Sequence, residues 1–63
     1  MCEFRVYLKA NGELREVAKG VVKAMVEGKV VKLITLFGEV KEVGNAFIES
    51  VDVPNERMIL TKL

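Results

Sequence analysis

Glycine recurs at positions 12, 20, 28, 38 and 44, and a single proline at position 54 closes the series. This punctuation constrains the fold more than any other feature of the chain. Between the glycines lie Val-, Ile- and Leu-rich segments of strand length, the spacing of a small all-β domain. The first segment alternates cleanly. Cys2, Phe4, Val6 and Leu8 share one face, and Glu3, Arg5, Tyr7 and Lys9 share the other. Asn11-Gly12 follows, a pair suited to the positive φ angles of a hairpin turn.

The stretch from Glu13 to Glu27 reads two ways. Leu14, Val17, Ala18, Val21, Val22 and Met25 recur at helical spacing, and Gly28 would serve as a helix C-cap. Gly20 in the middle disfavours a helix by about 1 kcal/mol relative to Ala, and Val21, Val22 and Val26 suit a strand better. Periodicity alone leaves helix and strand even. Lys29 to Phe37 reads as a strand with apolar residues on both faces: Val31, Leu33 and Phe37 on one, Val30, Ile34 and Leu36 on the other. Such a strand is covered by the core on one side and by a second chain or sheet on the other. A turn at Gly38-Glu39 leads to a short strand, Val40 to Val43, and then to Ala46 to Val53. Pro54-Asn55 forms the centre of a type I turn, and Arg57 to Leu63 is the last strand. Residues 1–63 therefore form one domain, an all-β barrel or roll of six to seven short, strongly bent strands.

A chain of 63 residues buries only about 60% of the surface its unfolded form exposes, so small domains use disulfides, metals or partner subunits as supplements. One cysteine excludes an intrachain disulfide. The absence of histidine excludes zinc fingers, a Ser-His-Asp triad and any site built on imidazole. With 51% apolar residues, part of the surface is expected to meet a second subunit. Charge is nearly balanced, 10 Lys and Arg against 9 Asp and Glu, and Lys19, Lys23, Lys29, Lys32 and Lys41 form no continuous run. A nucleic-acid domain normally gathers a basic excess on one face. No apolar run approaches the ~18 residues of a membrane span, and the opening residues do not read as a signal peptide. A cytoplasmic location, in which Cys2 stays reduced, is the expectation.

Cys2 carries the most chemical potential. If the initiator Met is removed, Cys2 offers its α-amine and thiolate, which close a five-membered chelate ring on a metal. If Met1 stays, the Met1 amine, the Cys2 amide nitrogen and the Cys2 sulfur act together. Both donor sets are planar nitrogen-plus-sulfur and suit Ni(II) or Cu(II) better than tetrahedral zinc. One chain cannot complete such a site, but two chains related by a two-fold axis can, each giving one Cys2. Composition and spacing alone still favour the plainer role for a lone cysteine on an apolar strand face, that of a small buried hydrophobe.

The opening Met1-Cys2-Glu3-Phe4-Arg5-Val6-Tyr7-Leu8 resembles the start of the CooT family of small nickel-binding proteins. Ile34-Thr35-Leu36-Phe37-Gly38-Glu39 is similar to the Leu-Phe turn that those proteins carry near mid-chain. Phe47 to Val53 and Met58-Ile59-Leu60 resemble their closing strand pair. The resemblance implies an SH3-like β fold, strands rather than a helix over residues 13–27, and a homodimer. It also implies one Ni(II) per dimer bound through Cys2 of both subunits. Some members of the family accompany the maturation of nickel carbon-monoxide dehydrogenase. Only Cys2 carries over as a site residue, and no metal-binding tail is expected beyond Leu63.

The leading expectation is therefore a homodimer that holds or delivers Ni(II), a metallochaperone for nickel carbon-monoxide dehydrogenase or another nickel enzyme. The alternative is a small-barrel module binding RNA or single-stranded nucleic acid, and a third reading is a dimerising structural module with an inert Cys2. Met25 and Met58 read as core filler. The carboxylates Glu3, Glu13, Glu16, Glu39, Glu42, Glu49, Asp52 and Glu56 lack calcium-loop spacing and read as solvated. Phe4 and Phe37 are expected in the core, which leaves few aromatics for base stacking. An enzyme is not expected: Cys2 lacks a histidine base, and one subunit is too short to enclose a substrate pocket.

Overall fold

In the computed structural model, which describes residues 3–63, the alternation of Phe4, Val6 and Leu8 becomes β1 (Phe4–Ala10). Asn11 and Gly12, with φ of 52° and 77°, make the two-residue hairpin that the sequence predicts. They feed β2 (Glu13–Glu27), which is a single strand of 15 residues and not a helix. Gly28-Lys29 turns it into β3 (Val30–Thr35), followed by β4 (Val40–Gly44), β5 (Ala46–Asp52) and β6 (Arg57–Lys62). The six strands form one curled, half-barrel sheet in the order β4-β3-β2-β1-β6-β5. Neighbouring strands run antiparallel except β1 and β6, which pair in parallel from Arg5↔Arg57 to Lys9↔Thr61.

One strand serves two partners because β2 bends. Its first half pairs with β1, from Ala10↔Glu13 to Phe4↔Val21, and its second half pairs with β3, from Val21↔Thr35 to Glu27↔Val30. The pairing register shifts on both sides of this crossing point, as expected where extra residues bulge from a ladder and sharpen its twist. Gly20 sits at the bend with φ +63°, a conformation that a side chain disfavours. Its carbonyl leaves the ladder and accepts the Leu36 N–H at 2.8 Å. The bulges also explain the helix-like spacing of apolar residues in this segment, since they break the two-residue period of the strand.

The curl closes around small side chains. Val6 and Leu8 of β1 meet Val31 and Leu33 of β3 and Met58 and Leu60 of β6, and all are buried. Val21, Val43 and Ala46 complete the core, with Phe4, Ala18 and Ile48 packed at its margin. None of the chain's aromatic rings is among the fully buried residues. β3 ends at Thr35, two residues earlier than its alternation suggests. Gly38 N–H donates to Thr35 O at 2.9 Å and Thr35 N–H to Glu39 O at 2.9 Å, so Leu36 and Phe37 stand in the turn. Phe37, expected in the core, is 89% exposed. The alternation that placed it there stops when the chain leaves the sheet.

The Pro54-Asn55 turn forms as expected, closed by Glu56 N–H to Val53 O at 3.1 Å. β5 accordingly stops at Asp52, whose carboxylate accepts the Asn55 side-chain amide at 2.9 Å and the Asn55 N–H at 3.3 Å. Among the described residues no helix is long and apolar enough to cross a membrane.

Two substitutions separate packing from backbone strain. Leu33→Ala, at a fully buried position, is expected to lower unfolding stability by about 2–5 kcal/mol. Gly20→Ala is expected to lose about 1–2 kcal/mol from the left-handed backbone alone, because only Glu3 Oε1, 3.9 Å away, lies within reach of an added Cβ. Urea unfolding of both variants is the check, and an unchanged midpoint for Gly20→Ala would contradict the strain.

Candidate functional site

Cys2, the one site residue that the sequence predicts, lies outside the described residues, as does Met1. The structure does fix where the chain arrives next to it. Glu3 N–H donates to the Glu56 carboxylate (Oε2) at 2.9 Å, and Arg5 N–H donates to Glu56 O at 2.9 Å. Glu56 itself has φ 51°, a left-handed conformation uncommon for a Glu. The start of β1 is thus held by the residue that follows the Pro54-Asn55 turn. In the other direction the Glu3 side chain reaches Gly20, at the bend of β2.

From there an open groove of about 760 Å³ runs between the β2 bend and the β3–β4 turn. Glu3, Val17, Ala18, Lys19 and Gly20 line it from the β2 side, and Thr35, Leu36, Phe37, Glu39, Val40 and Lys41 from the β3–β4 side. Leu36, Phe37 and Val40 are all exposed, Val40 by 60%. An aromatic and two aliphatic side chains held outward beside a trough are what an isolated small domain avoids and a contact surface uses. The groove opens to solvent and does not enclose a chamber. Among the described residues no group of three or more His, Cys, Asp or Glu side chains is placed to hold a metal ion.

The remaining charges organise the outer face of the sheet. Arg5 pairs with Glu16 at 3.9 Å, Lys9 with Glu49 at 3.3 Å, and Lys32 with Glu27 at 3.0 Å and Glu42 at 3.9 Å. Arg57 lies over the Tyr7 ring, 6.0 Å from its centroid. The hydrogen bond from Lys32 to Glu27, and then the charge of that carboxylate, holds the Lys32 ammonium above its ordinary pKa. Glu49 is held below the ordinary carboxylate range, first by the Thr61 hydroxyl and then by Lys9. Asp52 is lowered by the Asn55 side chain and then by the Asn55 N–H. Several carboxylates that read as merely solvated in the sequence therefore hold strands and turns together. Glu56 had one legible signal. The turn places it where a type I turn favours glycine, so a Glu there is a departure.

Together these features define a small all-β domain of one curled sheet, with a groove of mixed apolar and charged lining beside Glu3. The family model for CO dehydrogenase accessory protein CooT matches residues 1–61, and the chain belongs to the CooT family. A crystal structure designated CooT from Carboxydothermus hydrogenoformans superimposes with a TM-score of 0.86 at 19% sequence identity, covering 98% of each chain. That likeness shows the fold. No curated relative matches the chain.

Asp52 and Glu49 have lowered folded-state pKa values, so each stabilises the fold above the ordinary carboxylate range. That contribution is lost as pH falls through the folded-state value. Urea midpoints of the parent chain are expected to fall steadily below the ordinary carboxylate range, and those of Asp52→Ala to fall less. Parallel pH profiles for the two chains would contradict the assignment.

Proposed function

We propose that this chain forms a homodimer that holds or delivers Ni(II), one ion per dimer, with Cys2 of each subunit as the thiolate ligand. The observation that carries this reading is the CooT match over residues 1–61, which spans the Met1-Cys2 start. The donor chemistry agrees with it. A thiolate with the terminal amine or a backbone amide nitrogen forms a planar nitrogen–sulfur set, which Ni(II) favours. With one cysteine and no histidine per chain, two chains are needed to complete the coordination. Nickel is cargo here. The protein binds it and passes it to nickel carbon-monoxide dehydrogenase or another nickel enzyme in the cytoplasm, without catalysis of its own.

The shared ion also chooses the dimer face. Two Cys2 sulfurs on one metal lie close to the two-fold axis, so the residues next to them lie at the contact. Glu3 lines the same groove as Leu36, Phe37 and Val40, and these are the exposed apolar residues that a partner would cover. The pairing of basic residues with carboxylates on different strands supports this reading over one that needs a basic track for phosphates.

The test is an anaerobic Ni(II) titration followed by absorption, on the parent chain and on Cys2→Ser. The expected outcome is thiolate-to-nickel charge-transfer bands saturating at about half an ion per chain and lost in the variant. Undiminished nickel affinity in Cys2→Ser would end the proposal. Phe37→Ser is expected to weaken dimerisation about tenfold or more in sedimentation, as for a central aromatic anchor. Its urea midpoint should stay close to that of the parent, because Phe37 contributes little to the core.

A further inference from the structure

We infer that Glu56 is a positioning residue for the amino-terminal nickel segment, acting through the hydrogen bond that its carboxylate accepts from Glu3 N–H. The inference rests on the nickel reading above and names a second residue on which that site depends.

Three observations converge on Glu56. Its carboxylate meets the main chain one residue after Cys2, at 2.9 Å and across 53 positions of sequence. Its carbonyl accepts the Arg5 N–H at 2.9 Å, so side chain and main chain grip the same short segment two residues apart. Its backbone is left-handed, φ 51°, at a turn position where glycine would relieve the strain. A glycine would make the same two main-chain bonds, to Val53 and Arg5. What it could not supply is the acceptor for Glu3.

The consequence for metal binding follows from population arithmetic. A ligand segment that is in its binding position only part of the time binds more weakly by that fraction. The Glu56 carboxylate keeps Glu3, and with it the attachment point of Cys2, against the turn at the end of β5. One ion shared by two chains requires both segments to be in place at once. Losing about threefold in each chain therefore weakens the shared site about tenfold.

The test compares Glu56→Gly and Glu56→Gln with the parent chain. Nickel affinity is measured by competition with a chelator, stability by urea unfolding, and the exchange rate of the Glu3 amide by NMR on the metal-free protein. Glu56→Gly is expected to be as stable as the parent or more so, to bind nickel about tenfold more weakly and to exchange the Glu3 amide faster. Glu56→Gln keeps an oxygen acceptor and is expected to restore affinity to within about twofold of the parent. Parent-like nickel affinity in Glu56→Gly would overturn the inference while leaving the nickel reading intact. A parent chain without nickel bands would remove the nickel reading first, and the inference with it.

Discussion

The bend of β2 at Gly20 is the constraint on which the rest of the structure depends. A chain this short has no second sheet to pack against, so its one sheet must fold over its own apolar face. β2 makes this possible by pairing with β1 along its first half and with β3 along its second. The turn in its direction carries β3 and β4 over the core. The interior that results is narrow and is filled by Val, Leu, Ala and Met, while the rings of Phe37 and Phe47 stay outside. The same bend frees the Gly20 carbonyl to hold Leu36 and so fixes one wall of the groove against the other.

Much of this architecture is legible in the sequence, and the rest is hidden for physical reasons. Asn11-Gly12 and Pro54-Asn55 specify their turns through local backbone preferences, which a sequence states directly. β1 declares itself because its alternation runs uninterrupted. Residues 13–27 do not, because bulges next to Gly20 shift the phase and leave apolar residues at spacings that a helix also uses. The resemblance to the CooT family implies strand there, and the structure shows one strand over Glu13–Glu27. Phe37 misleads for the opposite reason: its spacing continues a pattern after the chain has left the sheet. The clasp at Glu56 is illegible because its partner lies 53 positions away, and no local rule connects the two. Of the proposed site, the sequence offers Cys2 through the family resemblance, and the structure describes the chain from Glu3 onward.

The charged surface plays a different part from the groove. The Glu27–Lys32–Glu42 group joins three neighbouring strands across the outer face, and Lys9–Glu49 spans from β1 to β5 across β6. Exposed pairs of this kind contribute little stability each, but they keep that face hydrated and unattractive to a partner. The groove beside the amino terminus presents exposed apolar side chains instead. Apolar side chains are exposed elsewhere too, as at Leu14, Val26 and Leu63, but Leu36, Phe37 and Val40 are gathered beside the groove.

The parallel pairing of β1 with β6 joins the two ends of the chain. β1 lies in the middle of the sheet, flanked by β2 on one side and by β6, the sixth strand in chain order, on the other. During synthesis the hairpin of β1 and β2 has only local contacts to make, and half of β1 waits for its neighbour. Pairings between residues this distant in sequence are slow to form because the intervening loop must close first. The grip on the amino-terminal segment therefore arrives last, when the Val53–Glu56 turn and β6 have joined the sheet. A truncated or nascent chain lacks that grip, so completion of the fold and assembly of the amino-terminal end are one event.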